Sequence, residues 1–307
     1  MMSQLPTRPL GSLQVTVVGL GTNNFGMRID EDGSRRVVDA ALEAGINFFD
    51  TADLYGDSEL HIGRALEGRR DRVILASKFG KPVEGKGSGA RPEYVKRALA
   101  MSLDRLRTDH VDLYQIHEPD VNTPIGETLS ALNDLVQAGR VREIGCSNFS
   151  VAQLREAEAA VAPGAARFVS VQNEYSLFKR EAERDVLPEC EWTGMAFLPF
   201  FPLASGLLTG KYRKGNIPAG GSRLVDSERW RKTLTDDNLD KVEALTAFAE
   251  GRGHSLLELA FGYLLARTPV ASVIAGATKR EQVMANAAAG GWILAPGEVA
   301  EVDALMA

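Results

Sequence analysis

The chain has 307 residues, of which 44% are hydrophobic and 25% charged, and its net charge is −6 at pH 7. These values are typical of globular proteins, and an acidic chain is a poor general ligand for nucleic acid or for anionic membranes. No segment predicts a membrane span, the first residues lack the apolar core of a signal peptide, and two cysteines are too few for a disulfide framework. We therefore predict a cytoplasmic protein that binds neither nucleic acid nor membrane.

Short β-branched segments alternate along the chain with longer amphipathic ones. The strand candidates are residues 15–21, 46–50, 73–78, 111–117, 141–147, 168–173, 195–201 and 271–276. The segments between several of them carry apolar residues at helical spacing, and two end in a glycine, Gly45 or Gly139, of the kind that commonly terminates a helix. Regular alternation of strand and helix predicts parallel strands, and eight units in a chain of this length favour one closed (β/α)8 TIM barrel.

Two segments depart from this alternation. Residues 8–18 precede and overlap the first strand candidate, and they predict a short N-terminal hairpin that closes the bottom of the barrel. Between strands 7 and 8, residues 201–276 hold a loop rich in glycine and charge and then two helical patterns. A long insertion of this kind is usually functional, and we expect it over the carboxyl ends of the strands. No linker marks a second domain, so residues 1–307 are interpreted as a single domain.

The carboxyl ends of the strands in such a barrel point into the functional site. Candidates selected by this rule are Asp50, Lys78, His117, Ser147, Asn148, Gln172, Asn173 and Phe200. Taken singly, Asp50 can be explained as a helix cap, Lys78 as a solvated strand end and His117 as a hydrogen-bonded structural histidine. The coincidence of an acid, a base and an imidazole at one end of three adjacent strands favours a shared site.

Tyr55 completes this set, because the stretch NFFDTADLYGDSE (47–59) delivers it shortly after Asp50. A phenol, whose ordinary pKa is ~10, protonates a carbonyl poorly at neutral pH unless its phenolate is stabilised. A neighbouring Lys78 ammonium would lower that pKa, and Asp50 would hold the ammonium in place. His117 could orient a carbonyl oxygen toward the phenol. Since no side chain donates hydride, this chemistry requires a nicotinamide cofactor.

Motifs along nearly the whole chain resemble those of the aldo-keto reductase superfamily. In family order they are GLGTNNFG, FFDTADLYGDSE, ILASKFG, DLYQIHEPD, REIGCSNFS, VQNEYS, FFPLASGLLTGKY and IAGATKREQVMAN. The resemblance implies a catalytic tetrad of Asp50, Tyr55, Lys78 and His117. In that tetrad Tyr55 is the general acid in reduction and the base in oxidation. The substrate would be a small carbonyl compound or its alcohol.

The same resemblance implies where the cofactor binds. Ser147, Asn148 and Gln172 match the positions that hydrogen-bond the nicotinamide carboxamide, and Phe200 matches the aromatic residue that stacks on the ring. The remaining implied contacts are Thr22 near the nicotinamide, Pro202, Leu203, Ser205, Gly206, Lys211 and Arg223 along the pyrophosphate, and Gly276, Thr278, Lys279, Gln282 and Asn286 at the adenosine end. Ala285 stands where family members often carry a glutamate.

Charge placement predicts that the cofactor is NADP(H) rather than NAD(H). In the stretch GATKREQ, we expect Thr278 to cap the following helix, with Lys279 and Arg280 in its first turn. Cations at a helix N-terminus oppose the helix dipole, so their presence is better explained by an anion bound between them. The 2′-phosphate of NADP(H) is such an anion.

Three other functions are considered. A metal-dependent barrel hydrolase needs several ligands at strand ends, and of the four histidines only His117 is so placed. A Schiff-base lyase would use Lys78 as its nucleophile. An NADPH-binding regulatory or sensor subunit would keep the cofactor site and show little turnover.

Overall fold

The computed structural model describes residues 5–85 and 87–307, apart from the side chain of Arg229. Residues 1–4, which belong to the predicted domain, lie outside the described residues. The described chain starts with an antiparallel hairpin of β1 (Thr7–Leu10) and β2 (Leu13–Thr16). Gly11 makes the tight turn between them with a φ of 57°, a left-handed conformation that favours glycine.

Eight parallel strands follow and form the barrel. They are β3 (Val18–Gly21), β4 (Phe48–Asp50), β5 (Ile74–Phe79), β6 (Val111–Ile116), β7 (Val141–Ser147), β8 (Phe168–Glu174), β9 (Ala196–Phe200) and β10 (Val273–Gly276). Successive strands pair in order from β3 to β9, and β10 pairs with β3. Between β9 and β10, the Phe197 amide donates to Pro269 O over 2.7 Å and Phe197 O accepts from the Ala271 amide over 3.0 Å. The predicted TIM barrel is confirmed.

The first strand candidate, residues 15–21, is wrong at its beginning. Val15 and Thr16 belong to β2 of the hairpin, and the barrel strand β3 begins only at Val18. Both sides of this break are buried, and Thr16 beside it is a β-branched residue that is itself typical of strands, so the sequence shows one continuous strand pattern.

Twelve α-helices are seen in the described part of the chain, most of them between strands. They are α1 (Glu31–Glu43), α2 (Ser58–Ala65), α3 (Pro92–Leu106), α4 (Ile125–Gln137), α5 (Val151–Ala159), α6 (Val186–Thr193), α7 (Arg223–Asp226), α8 (Glu228–Arg231), α9 (Asp236–Glu250), α10 (Leu256–Leu265), α11 (Arg280–Ala289) and α12 (Pro296–Met306). Gly45 and Gly139 follow the ends of α1 and α4 with φ values of 78° and 70°, which confirms their predicted role as helix terminators. Among these helices none combines the length and the apolar character needed to cross a bilayer.

The hairpin closes the bottom of the barrel, as predicted. Leu10, Leu13 and Val15 form one buried cluster with inward-facing strand residues, among them Phe48 and Leu113. A second, larger cluster lies mostly between the strands and the surrounding helices. Between β9 and β10 the predicted insertion is also confirmed, and it contains a 3₁₀ segment (Ala204–Thr209) and α7 to α10. The open end of the barrel is therefore the end at which the strands finish.

Candidate active site

A cavity of about 720 Å³ lies at the carboxyl ends of the strands and beneath the insertion. The predicted site residues that line it are Thr22, Asp50, Tyr55, His117, Ser147, Asn148, Gln172, Phe200, Pro202, Leu203, Ser205, Gly206, Lys211, Arg223, Gly276, Thr278 and Gln282. Lys78, Asn173, Lys279 and Asn286 are not among the lining residues. Asn286 is buried away from the cavity, and Lys279 is exposed.

Asp50 and Lys78 form a buried ion pair, in which Asp50 lines the cavity and Lys78 lies behind it. Asp50 is the last residue of β4, and Lys78 lies near the end of the adjacent strand β5. The parallel pairing of the two strands brings the side chains together. Lys78 Nζ donates to Asp50 Oδ2 over 2.6 Å and to the carbonyl of Thr51 over 2.9 Å. The same Nζ lies 5.2 Å from the centroid of the Tyr55 ring. One ammonium therefore contacts the acid on one side and the phenol on the other.

The ionisation of this group follows from its burial. Burial raises the pKa of Tyr55 above its ordinary value, and the charge of Lys78 offsets only part of that rise. Burial by itself lowers the pKa of Lys78, but Asp50 and then Tyr55 reverse this effect, so the net pKa of Lys78 is raised. The structure differs here from the expected lowering of the phenol pKa: Lys78 acts in the expected direction, and burial outweighs it. Lys78 remains a charged ammonium at neutral pH.

His117 follows β6 and faces Tyr55. Their ring centroids are 5.9 Å apart and the rings are nearly perpendicular, at 83°. Burial, then the charges of Lys78 and Lys81, lowers the pKa of His117 to about 2. Its Nδ1 atom is buried and makes no hydrogen bond to any residue that the structure describes. His117 is consequently a neutral imidazole throughout the physiological pH range.

Three polar side chains form the neighbouring wall. Ser147 Oγ donates to the main-chain oxygen of Gln172 over 2.7 Å, which ties the end of β7 to β8. Asn148 adopts a left-handed conformation, with a φ of 62°. Its side-chain Nδ2 donates to the main-chain oxygen of His117 over 2.9 Å. Gln172 Nε2 donates to Asp50 Oδ1 over 2.9 Å. The last contact was not anticipated from the sequence.

The insertion brings cations and aromatic rings over the cavity. Arg223 is half-buried, donates to Asn24 Oδ1 over 3.1 Å and lies 5.7 Å from the centroid of the Phe201 ring. Burial, followed by the nearby charge of Arg28, lowers the pKa of Arg223. Ser205 and Gly206 adopt positive φ values of 58° and 109° in the 3₁₀ segment. Both residues line the cavity.

One expectation at the adenosine end is wrong. Lys279, not Thr278, occupies the N-cap of α11, and it makes no side-chain capping bond. Thr278 bonds instead to the side chain of Gln282, whose Oε1 accepts from the Thr278 amide over 2.8 Å and from its hydroxyl over 3.1 Å. Arg280 is bound to Glu43 of α1 by two hydrogen bonds of 2.5 and 2.6 Å. The side chain of Arg280 therefore already has an anionic partner.

A buried ion pair that the sequence did not reveal supports the segment after Tyr55. Glu59 in α2 is 1% exposed. It accepts from Ser77 Oγ over 2.6 Å and from Arg105 Nε over 2.8 Å. The hydrophilic stretch GDSE gave no sign of burial, because the partners of Glu59, Ser77 and Arg105, come from distant parts of the chain.

Comparison with known proteins decides the family. A model of the aldo/keto reductase family matches residues 17–307. The chain belongs to this family. Aldo/keto reductases are oxidoreductases, and the cavity described above is the candidate active site of this one.

Relatives of this aldo/keto reductase include proteins with different printed names. It is 35% identical over 277 residues to a probable voltage-gated potassium channel subunit beta of Oryza sativa subsp. japonica, an alignment that covers 85% of this chain and 83% of the relative. It is 33% identical over 307 residues to the aldo-keto reductase YhdN of Bacillus subtilis (strain 168), with 96% and 91% covered. The structure of the glycerol dehydrogenase AKR11B4 from Gluconobacter oxydans superposes with a TM-score of 0.85 at 31% identity, covering 98% of this chain and 94% of that one.

The cavity of this aldo/keto reductase suits a nicotinamide dinucleotide by its charge. Arg28, Lys211 and Arg223 line it, and none of the three is paired with a carboxylate in the part of the chain that the structure describes. In a protein of net charge −6, three such cations around one cavity fit a ligand that carries phosphates. Ser147 and Asn148 add a hydroxyl and an amide to the lining, and these groups fit a carboxamide.

Proposed function

We propose that the protein catalyses the reversible, NADP(H)-dependent reduction of an aldehyde or a ketone to an alcohol. One observation carries the proposal. The ring of Tyr55 lies at the cavity within reach of the buried Lys78 ammonium, at 5.2 Å, and of the neutral His117 ring, at 5.9 Å. A phenol with this pair of neighbours is equipped to give a proton to a carbonyl oxygen.

Each member of the tetrad has a separate task in this proposal. Tyr55 gives its hydroxyl proton to the substrate oxygen during reduction, and its phenolate takes that proton back from the alcohol during oxidation. Lys78 stabilises the phenolate, and Asp50 holds Lys78 in place by the 2.6 Å bond. His117, being neutral, can donate a hydrogen bond to the carbonyl oxygen without adding a charge.

The cofactor supplies the hydride when it is bound. Ser147, Asn148 and Gln172 would hold the carboxamide, and the ring of Phe200 would stack on the nicotinamide. Lys211 and Arg223 would bind the phosphates of the bridge, and Lys279 the 2′-phosphate. Thr22 would lie beside the nicotinamide, with its hydroxyl held by the carbonyl of Asp50 and by Ser58.

Replacement of the proton donor tests the proposal. We expect Tyr55→Phe to lower turnover of an active aldehyde by a factor on the order of 10² or more and to leave NADPH affinity nearly unchanged. Substrates would be found first with a panel of aldehydes, ketones, sugars and pyridoxal, assayed in both directions. Near-native turnover by the variant would remove Tyr55 from this role.

A sensor function is the second candidate, and the rice relative favours it. That protein is named as a probable voltage-gated potassium channel subunit beta, and this name describes a channel subunit rather than a catalyst. Steady multiple turnover of NADPH with any aldehyde of the panel would exclude a purely regulatory role. A Schiff-base lyase is disfavoured by Lys78 itself, whose raised pKa and complete burial make it a poor nucleophile.

A further inference from the structure

The two oxygens of the Asp50 carboxylate have different partners. Oδ2 accepts from Lys78, whereas Oδ1 accepts from the amide of Gln172 over 2.9 Å. Asp50 is 4% exposed and Gln172 is 2% exposed, so solvent competes little for this bond. The ion pair of the tetrad is therefore held from the side of β8 as well as from β5.

Gln172 also borders the cavity, so its amide has one side toward Asp50 and another toward the ligand space. A primary amide offers two N–H donors and one acceptor oxygen, and the bond to Asp50 uses a donor. Within residues 5–85 and 87–307, no group donates to Gln172 Oε1. That oxygen is the atom that can accept a hydrogen bond from a ligand.

We infer that Gln172 is a positioning residue that couples a carboxamide bound in the cavity to the Asp50–Lys78 pair and through it to Tyr55. The inference rests on the proposed function, since it assumes that a nicotinamide carboxamide binds here. An N–H donated to Gln172 Oε1 polarises the amide and strengthens the bond from its Nε2 to Asp50. Cofactor binding then strengthens the Gln172–Asp50 bond, which holds the Asp50–Lys78 pair beside Tyr55.

Gln115 provides a matched comparison inside the same structure. It pairs in register with Lys78 on the neighbouring strand, is completely buried and does not line the cavity. Its Nε2 lies 3.5 Å from Asp50 Oδ1, so it supports the carboxylate more weakly than Gln172 does. Gly145 leaves room for it, because a Cβ atom at that position would lie 3.3 Å from Gln115 Cγ and 2.5 Å from Ser170 Oγ. Gln115 thus contacts Asp50 without access to the cofactor.

The sign of the effect follows from the charges. The negative charge of Asp50 acts to raise the pKa of Tyr55, and the charge of Lys78 acts to lower it. An amide N–H that points at Asp50 offsets part of the carboxylate charge and keeps it oriented toward Lys78. Loss of that N–H should raise the pKa of Tyr55.

The test is a direct titration of residue 55, which needs no turnover. A fluorotyrosine placed at position 55 is titrated by ¹⁹F NMR in otherwise wild-type protein and in Gln172→Met, Gln115→Met and Ser147→Ala. We expect the pKa to rise most in Gln172→Met and less in Gln115→Met, and to stay in place in Ser147→Ala. NADP⁺ affinity should fall in Gln172→Met and Ser147→Ala and stay unchanged in Gln115→Met. If the pKa of residue 55 in Gln172→Met equals that in Ser147→Ala, the inference is overturned.

A change of ligand gives the second arm. The wild-type titration is repeated with saturating NADP⁺ and with its 3-acetylpyridine analogue, which keeps the positive ring and the carbonyl and lacks the amide N–H. We expect a lower pKa with NADP⁺, a difference that persists in Gln115→Met and disappears in Gln172→Met. If Gln172→Met does not fold, the wild-type comparison decides alone, and equal titrations with the two ligands overturn the coupling. If the pKa values change as expected but no aldehyde is turned over, the inference stands and the proposed function is refuted.

Discussion

Lys78 Nζ and Asp50 Oδ2 lie 2.6 Å apart in an environment that leaves 0% and 5% of the two side chains exposed. Removal of one partner from a buried pair leaves an uncompensated charge and typically costs about 3–5 kcal/mol. We expect Asp50→Asn to destabilise the protein by that amount. The double variant with Lys78→Met should be more stable than Asp50→Asn alone. Urea unfolding of the two single variants and the double variant at pH 7 measures the coupling, and strictly additive losses would contradict it.

The neutral state of His117 predicts how stability depends on pH. The pKa of His117 is about 2 in the folded protein and near the ordinary 6.5 in the unfolded chain. Below pH 6.5 the unfolded chain binds a proton that the folded protein does not, so folding stability falls as the pH falls. From pH 7 to pH 5 this residue should account for roughly 1–2 kcal/mol of lost stability. His117→Asn should remove that part of the pH dependence, and unchanged slopes in unfolding experiments would refute the assignment.

The two cations at the start of α11 differ, because Arg280 is paired with Glu43 and Lys279 is not. The charge of Arg280 is already balanced by the Glu43 carboxylate, whereas Lys279 makes no ion pair in the described chain. We therefore expect Lys279→Ala to weaken NADPH binding by ~1–3 kcal/mol and to leave NADH binding nearly unchanged. Arg280→Ala should weaken it less, and Glu43→Gln should strengthen it by releasing Arg280. Fluorescence titrations at fixed salt compare these variants, and equal losses for both cofactors would argue against a 2′-phosphate site.

A glycine in α10 is expected to resist the replacement that usually stabilises helices. A Cβ atom on Gly262 would lie 2.2 Å from the main-chain oxygen of Trp292, which a substitution cannot move cheaply. Gly262→Ala should thus destabilise the protein by about 1–3 kcal/mol. Gly297 in the first turn of α12 has open space around it, so Gly297→Ala should be neutral or stabilising by up to about 1 kcal/mol. Thermal unfolding distinguishes the two, and a stabilised Gly262→Ala would disprove the close contact.

The barrel and the convergence of Asp50, Tyr55 and His117 could be predicted because both depend on local patterns. Apolar periodicity identified the strands, and parallel pairing brings their ends together wherever the chain forms a barrel. The motifs of the family then fixed the roles implied for the same residues. Burial could not be judged locally, and it decides that the pKa of Tyr55 lies above its ordinary value.

Contacts between distant residues account for what the sequence did not predict. Gln172 and Asp50 are 122 positions apart, and Arg280 and Glu43 are 237 apart. Each of these side chains could bind a ligand as well as a neighbour, and only the packed structure shows which partner it has. The N-cap at Lys279 was missed for a different, local reason. Thr278 has a suitable hydroxyl, but Gln282, four residues further on, accepts from both the amide and the hydroxyl of Thr278.

The hairpin fills the bottom of the barrel, at the end opposite the cavity. Leu10, Leu13 and Val15 fill the lower opening with buried apolar side chains, so nothing can pass through the molecule from end to end. Under the proposed function, the dinucleotide and the carbonyl compound both enter from the end at which the strands finish. The molecule that lies deeper must arrive first and leave last. The order of arrival and departure is then a property of the architecture, and it holds for every substrate that the protein accepts.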